Sequence, residues 1–490
     1  MTVFTVRRPP RRPLIAVLGV LAFAIGTQVA AAWPSAGPVG LDEPLLAAPP
    51  PAEAAAEPVA DEPRAFPAIV PAPDLGPITI PAPGKVADVD PAAELARVRD
   101  DVDFWAARLT ARPADIVAAV KLAEADSAEA RLTGDVTGYL RAEQAASAAL
   151  EAQPSYVPAQ AMRASILISL HRFPEARDLA RSILDRSPGD ATALGVLGDA
   201  SLELGDLATA SSAYSQLAMV ADGAASRVRS ARLAFIQGDP AAAVAGDVAA
   251  VAAAVDEGLE GDALGFYDVT LGESLIAAGD ATAARSAFVA ALDVRPGLPA
   301  ALAGLAKLDA FDGDHSAAIA KLDDAIAAIP LPDWLARRAD LLTLRGDPGD
   351  ARKAETDRAT VEAIAQLAGE AGSVYDRGLS LYLSDRRLEP DRAVRLARDE
   401  LAVRADVYGY DTLAWALLNA GDAAGADAAM RSALTAGTRD ARLWYHAGLI
   451  ALANGRPAEA ATSLQSALAL GPALDPVARA RAADAMATIR

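Results

Sequence analysis

The strongest constraint on this chain is a turn that recurs in phase. Gly-Asp or its near equivalent stands at Gly205-Asp206, Gly238-Asp239, Gly279-Asp280, Gly313-Asp314, Gly346-Asp347, Gly421-Asp422 and Gly455-Arg456. Successive steps are 33, 41, 34, 33, 75 and 34 residues, and 75 is one step of 34 plus one of 41. The prolines keep the same beat, with Pro154 to Pro188 and Pro296 to Pro330 each 34 apart. A fixed period near 34 means that one supersecondary unit is reused and that each copy buries its apolar face only by stacking on its neighbours.

The unit is clearest from Gly265 to Leu298. Leu271, Leu275 and Ile276 fall at helical spacing and form one stripe, while Ala284, Ala287, Phe288, Ala291 and Leu292 form the answering stripe of a second helix. Gly272 lies on the first stripe, where the missing side chain lets the second helix approach, with Phe288 filling the space alongside. Gly279 suits the left-handed residue that ends a helix, because it has no Cβ to clash. Asp280 then caps the free N–H groups of the next helix, and Pro296 closes the unit.

On Leu271-Gly272, Ala284, Phe288, Ala291 and Pro296, the chain resembles the tetratricopeptide repeat family. Leu197-Gly198, Ala210, Tyr214 and Leu217 repeat the pattern, as do Trp444, Ala447-Gly448, Ala460, Leu464, Ala467 and Pro472, so the likeness runs from about Pro113 to Pro472. Phe104-Trp105, the run Tyr410 to Leu417, Gly437 to Asp440 and Tyr445 to Gly448 resemble more narrowly a group of exported bacterial proteins built on that repeat. The resemblance implies an all-α, right-handed superhelical solenoid and an export pattern. Chaperone-binding members grip a C-terminal carboxylate with lysines and asparagines. Ala161, Ser165 and Gly195 stand at the matching places here, so that clamp is absent.

The expected organisation has three parts. Residues 1–33 read as a signal peptide or signal anchor: Arg7, Arg8, Arg11 and Arg12 precede an uncharged, mostly apolar run from Leu14 to Trp33. A positive flank before an apolar run keeps the N-terminus in the cytoplasm and exports the remainder of the chain. Val29-Ala30-Ala31 fits a cleavage site, and the run is also long enough to span a bilayer, so cleaved and anchored forms both stay open. Residues 34–92 are rich in Pro, Ala and acidic residues and read as a disordered linker. Residues 93–490 read as the solenoid, about nine or ten hairpins between an opening helix over 93–111 and a closing helix from Pro476.

Candidates for chemistry are few. There is no cysteine, which removes disulfides, thiolate metal sites and thiol nucleophiles. His171, His315 and His446 lie in different repeats, with no pair at ligand spacing, and His446 reads as a packing or capping residue. Asp309, Asp312 and Asp314 resemble a calcium loop only faintly, since Ala310 replaces an oxygen donor. No phosphate loop, nucleophile elbow or His-Glu metal helix is present. The expectation is therefore a non-catalytic binding protein without cofactor or metal.

A net charge of −20 argues against nucleic acid and for a neutral or basic protein or peptide ligand, with membrane contact only through residues 14–33. Curved repeat stacks present their first helices on a concave side. Phasing puts Phe235, Phe266, Phe311, Tyr408, Trp415 and Tyr445 there, with Asp333 and Asp340 pointing toward a basic or hydroxyl-rich ligand. The expected surface is a continuous open groove holding a peptide or helix. A cell-envelope assembly factor and a glycan-binding protein are the alternatives.

Overall fold

The structure, a computed structural model, describes residues 71–76, 78–81, 91–370 and 376–489. Residues 1–33, read as signal or anchor, lie outside the described residues, and so do residues 34–70 of the linker. No described helix is long and apolar enough to cross a membrane. The described chain is all-helical, with no β-strand. The opening helix is α1 (Pro91–Ala111). Ten hairpins come next, running from α2 (Ile116–Thr133) with α3 (Val136–Ala152) to α20 (Ala441–Ala453) with α21 (Pro457–Ala469), and α22 (Pro476–Ile489) closes the stack.

Local chemistry sets each hairpin. In the reference unit, α10 (Gly261–Ala278) ends at Gly279 with φ +88°, and Asp280 accepts a hydrogen bond from the Ala283 N–H at 2.9 Å to start α11 (Ala281–Val294). The same capping carboxylate recurs at Asp206, Asp239, Asp314 and Asp422. Where the turn lacks glycine, His171 takes the left-handed conformation itself, at φ 57°. The two long repeats are absorbed by longer helices: α9 (Pro240–Asp256) has 17 residues, α10 has 18 and α15 (Asp350–Glu370) has 21.

The helix pairs lock where a small residue meets a large one. A Cβ placed on Gly272 would lie 2.6 Å from the Phe288 ring, on Gly198 2.2 Å from Tyr214, and on Gly448 2.6 Å from Leu464. These pairs share one spacing of sixteen residues, so the contact is a property of the repeat.

The stack does not stay open. Contacts recur about 201 residues apart: Arg295 donates to Glu94, Arg404 to Glu203, and the Thr438 hydroxyl to the Ile236 carbonyl 202 residues away. One coil of the solenoid therefore returns onto the last after about six hairpins. Leu202, Leu233 and Ile236 from the first coil pack with Val407, Tyr408 and Leu443 from the second. The turn glycines sit in this seam, for a Cβ on Gly205 would come within 2.3 Å of the Ala405 carbonyl oxygen, and one on Gly238 within 2.2 Å of that of Gly437. This corrects the expectation of a continuous open groove. The aromatic and branched residues at the hairpin edges bury apolar surface between coils, and that gain closes the pitch.

Gly272→Leu should cost about 1–3 kcal/mol through overpacking against the fully buried Phe288. Chemical denaturation monitored by circular dichroism measures it, and an unchanged midpoint would refute the packing described.

Candidate functional site

Coil closure leaves a chamber of about 580 Å³ on the concave side. Its walls come from α8 (Ala224–Ile236), α9, α10, α12 (Pro299–Phe311), α14 (Pro332–Arg345), the end of α16 (Asp376–Asp385), α18 (Val407–Asn419), α20 and the start of α22. Five of the eight residues predicted to face the ligand line it: Phe235, Asp333, Asp340, Tyr408 and Tyr445. The other three do not. Phe266 packs beside the α8–α12 core and lies edge-on to Tyr267, and Phe311 sits under the Arg479 guanidinium at 4.6 Å. Trp415 stacks on His446 with ring centroids 4.1 Å apart, and its indole N–H donates to Asp385 at 2.8 Å. Tyr408, Trp415 and Tyr445 are only 4%, 3% and 2% exposed, so all three are packed into the wall as well as facing its neighbourhood.

The electrostatics differ from those of the chain as a whole. Seven basic and seven acidic side chains line the chamber, whereas the chain carries −20, so the interior is balanced where the exterior is acidic. Asp333 already accepts from Arg337 at 2.9 Å, and Asp340 from Arg386 at 2.6 Å. Those two carboxylates are therefore matched within the protein, which removes the sequence argument for a basic ligand.

Other wall groups retain unused hydrogen-bonding capacity. Asp247 is 2% exposed, and one carboxylate oxygen accepts from the Ser274 hydroxyl at 2.5 Å while the other is buried without a partner. Burial pushes its pKa up to about 7, and the Ser274 hydrogen bond and the charge of Arg232 pull the other way. Arg232 has its Nε buried and unpartnered, with Glu203 the nearest carboxylate at 4.0 Å. Asp385 is accessible to water yet ringed by protein, and the resulting desolvation raises its carboxyl. Burial also raises the Tyr445 phenol, to about 12.

His446, 1% exposed, lines the chamber and is held by buried partners. Its Nδ1 meets the buried Asp411 carboxylate at 2.7 Å, and Arg442 approaches the other oxygen at 3.5 Å. Burial alone would raise Asp411, but the charge of His446 and its hydrogen bond, followed by the charge of Arg442, hold it below the usual carboxylate range. Among the described residues no cluster of His and carboxylates has the arrangement of a metal site. The three carboxylates at the α12–α13 turn have other partners: Asp309 and Asp312 pair with Arg285, each at 2.8 Å, and Asp314 caps α13 (His315–Ala328).

Sequence reasoning missed Arg232, Asp247, Trp334, Asp385, Arg386 and Arg442. Asp247 carried a usable signal, since it is the only acid within the apolar run from Pro240 to Val255. The arginines carried none, because a charged residue on a repeat helix reads as a solvated face until the coil closes.

The raised Asp247 carboxyl has a stability consequence. Its folded pKa lies above its unfolded value, so the folded state binds the extra proton and loses that advantage as pH rises from about 4 through 7. Asp247→Asn should therefore stabilise the protein by about 1–3 kcal/mol at pH 8 and by almost nothing at pH 4. Denaturant midpoints of the two proteins across that range measure it, and a pH-independent difference would refute the assignment.

The tetratricopeptide repeat profile matches the chain at residues 127–191, 162–226, 269–331 and 412–475. No curated protein matches it by sequence. Among solved structures it is similar to PilW, described as a widely conserved type IV pilus biogenesis factor, at 18% identity over 43% of this chain and 93% of that one, with a TM-score of 0.35. It is also similar to the APC/C hetero-tetramer Cut9–Hcn1, at 14% identity over 81% and 94% with a TM-score of 0.30. A third likeness is to MamA, at 16% identity over 34% and 93% with a TM-score of 0.27. Ten stacked hairpins, most of them joined by a glycine turn and several locked by a glycine against a large side chain sixteen residues on, and matched four times by the profile, make this chain a tetratricopeptide repeat protein.

Proposed function

We propose that this protein is a non-catalytic scaffold outside the cytoplasm that holds a short extended peptide in its concave chamber. The repeat fold supports the scaffold role. The observation that carries the binding site is the chamber itself, whose walls combine aromatic faces with buried polar groups that lack partners. The aromatic faces supply apolar contact area, and the balanced acids and arginines of the wall supply acceptors and donors for a peptide backbone.

Size favours an extended segment over a helix. A volume of about 580 Å³ falls within the usual range of ligand pockets. A helix roughly 10–12 Å across would fill it in about one turn, too short to present a recognisable face. Charge favours a polar ligand carrying both donors and acceptors over a basic one, because Arg337 and Arg386 already neutralise Asp333 and Asp340. The same balance, with Trp334 and Tyr445 offering ring faces, favours a glycan as the second reading. Glycan arrays separate it from the first.

The location rests on the arginines before Leu14 and the apolar run after them. Residues 14–33 would then hold the protein at the outer face of the cytoplasmic membrane or be removed by cleavage.

Two experiments test this reading. A reporter that functions only in the cytoplasm should be inactive when fused after residue 40, and activity there would overturn the export assignment. Trp334→Ala with Phe235→Ala, both half-buried in the chamber wall, should reduce cross-linked partner recovery from intact cells at least tenfold. Val289→Ala, at a 45% exposed position outside the chamber, should leave recovery unchanged. Equal recovery from all three proteins would remove the chamber from the binding site.

A further inference from the structure

The chain binds a piece of itself. Residues 71–76 and 78–81 run without helix along the repeats, and over 72–76 and 78–80 their exposure alternates: Pro73, Leu75, Ile78 and Ile80 are half-buried, while Ala72, Asp74, Gly76 and Thr79 are exposed. In an extended segment successive side chains point to opposite sides, so alternation marks a backbone lying with one face on a surface. The step from Leu75 to Ile78 is three residues, which would put the second half out of phase. Gly76 corrects it by adopting φ +60° while its N–H donates to the Asp74 side chain at 3.0 Å. Both halves therefore present their apolar residues to the same side.

That side is a preformed surface. Leu75, Ile78 and Ile80 pack against the core built by α8 to α12, alongside Val248, Phe266 and Leu292. At the other end the Arg439 guanidinium donates to the Pro71 carbonyl oxygen at 2.6 Å. Arg439 directly succeeds Gly437 and Thr438, the residues that meet the first coil at Gly238 and Ile236. The segment thus lies against the first coil and is tied to the second, and none of its described residues lines the chamber.

We propose that this surface is a second peptide-docking site, separate from the chamber, that accepts an extended, proline-bounded peptide with apolar residues spaced as Leu75, Ile78 and Ile80. The chain's own residues 71–76 and 78–81 occupy it and act as a tethered competitor. Prolines at 71, 73, 77 and 81 restrict the free segment to extended conformations, so little conformational freedom is lost on docking. The polar part of recognition is the Arg439 contact to a backbone carbonyl, which any peptide supplies.

Tethering sets the affinity this requires. Covalent linkage to the solenoid through a short stretch of chain gives an effective concentration on the order of millimolar. The cis complex is then populated only if the free peptide binds with a dissociation constant below roughly 1 mM.

The test uses the full chain and a fluorescein-labelled synthetic peptide of residues 71–82. In a Leu75→Asp, Ile80→Asp protein, whose changes lie outside the solenoid, the docking surface is vacated. The peptide should bind this variant with a sub-millimolar dissociation constant by fluorescence anisotropy and bind the unchanged protein at least tenfold more weakly. A peptide carrying the same two aspartates should bind neither. Hydroxyl-radical footprinting on the unchanged protein should show the Leu75, Ile78 and Ile80 side chains protected, and the protection of Ile78 should be lost in the variant. Loss of protection without peptide binding to the variant would overturn the proposal, since the segment would then be held by its tether alone. Unprotected side chains in the unchanged protein would overturn it as well. The chamber reading survives either result, because neither measurement involves the chamber walls.

Discussion

The coil-to-coil seam is the contact on which the rest of the molecule depends. At its centre Arg404 pairs with Glu203 of the preceding coil and with Glu400 of its own helix, and Arg377 joins Glu400 to Asp406. Glu203, Glu400 and Arg404 are each at most 8% exposed. Charges buried this deeply cost several kcal/mol each in lost hydration, and they are tolerated only with close partners. The network therefore adds less stability than register. A coil slipped by one hairpin would leave Glu203 or Arg404 buried and unpaired. Beside it, burial and the charges of Arg404 and Arg377 hold the His171 pKa at about 3, so the imidazole stays neutral next to two guanidinium groups.

Closure changes the chemistry of the concave side. On an open solenoid, acidic and basic residues on the first helices would each face water and interact weakly. Here Asp333 pairs with Arg337 on its own helix, Asp340 pairs with Arg386 of the next hairpin, and the buried Asp247 loses its hydration. Asp268, buried on α10 away from the chamber, is likewise pushed to about 7 by burial alone.

The repeat architecture was legible residue by residue. Each glycine turn, each aspartate cap and the glycine facing an aromatic sixteen residues on are local features, and local backbone sterics and hydrogen bonding decide them. The two long repeats were also visible from the spacing of the turns. Of the candidate site, phasing found Phe235, Tyr408 and Tyr445, because the concave helix of each hairpin comes from the same period. It could not separate them from Trp415, whose ring turns back to stack on His446 and bond Asp385.

Everything that makes one hairpin lies within about 34 residues, so the unit and its repetition are written in the order of residues alone. The pitch, and with it the chamber, arises only once the hairpins are stacked. Gly205 and Gly313 read identically as turn residues, yet Gly205 abuts Ala405 while Gly313 has open space around it. The difference lies in small rotations between neighbouring hairpins that accumulate over about 200 residues before Glu203 meets Arg404. No single period of the chain records that sum, so the meeting of the coils is visible only in the assembled fold.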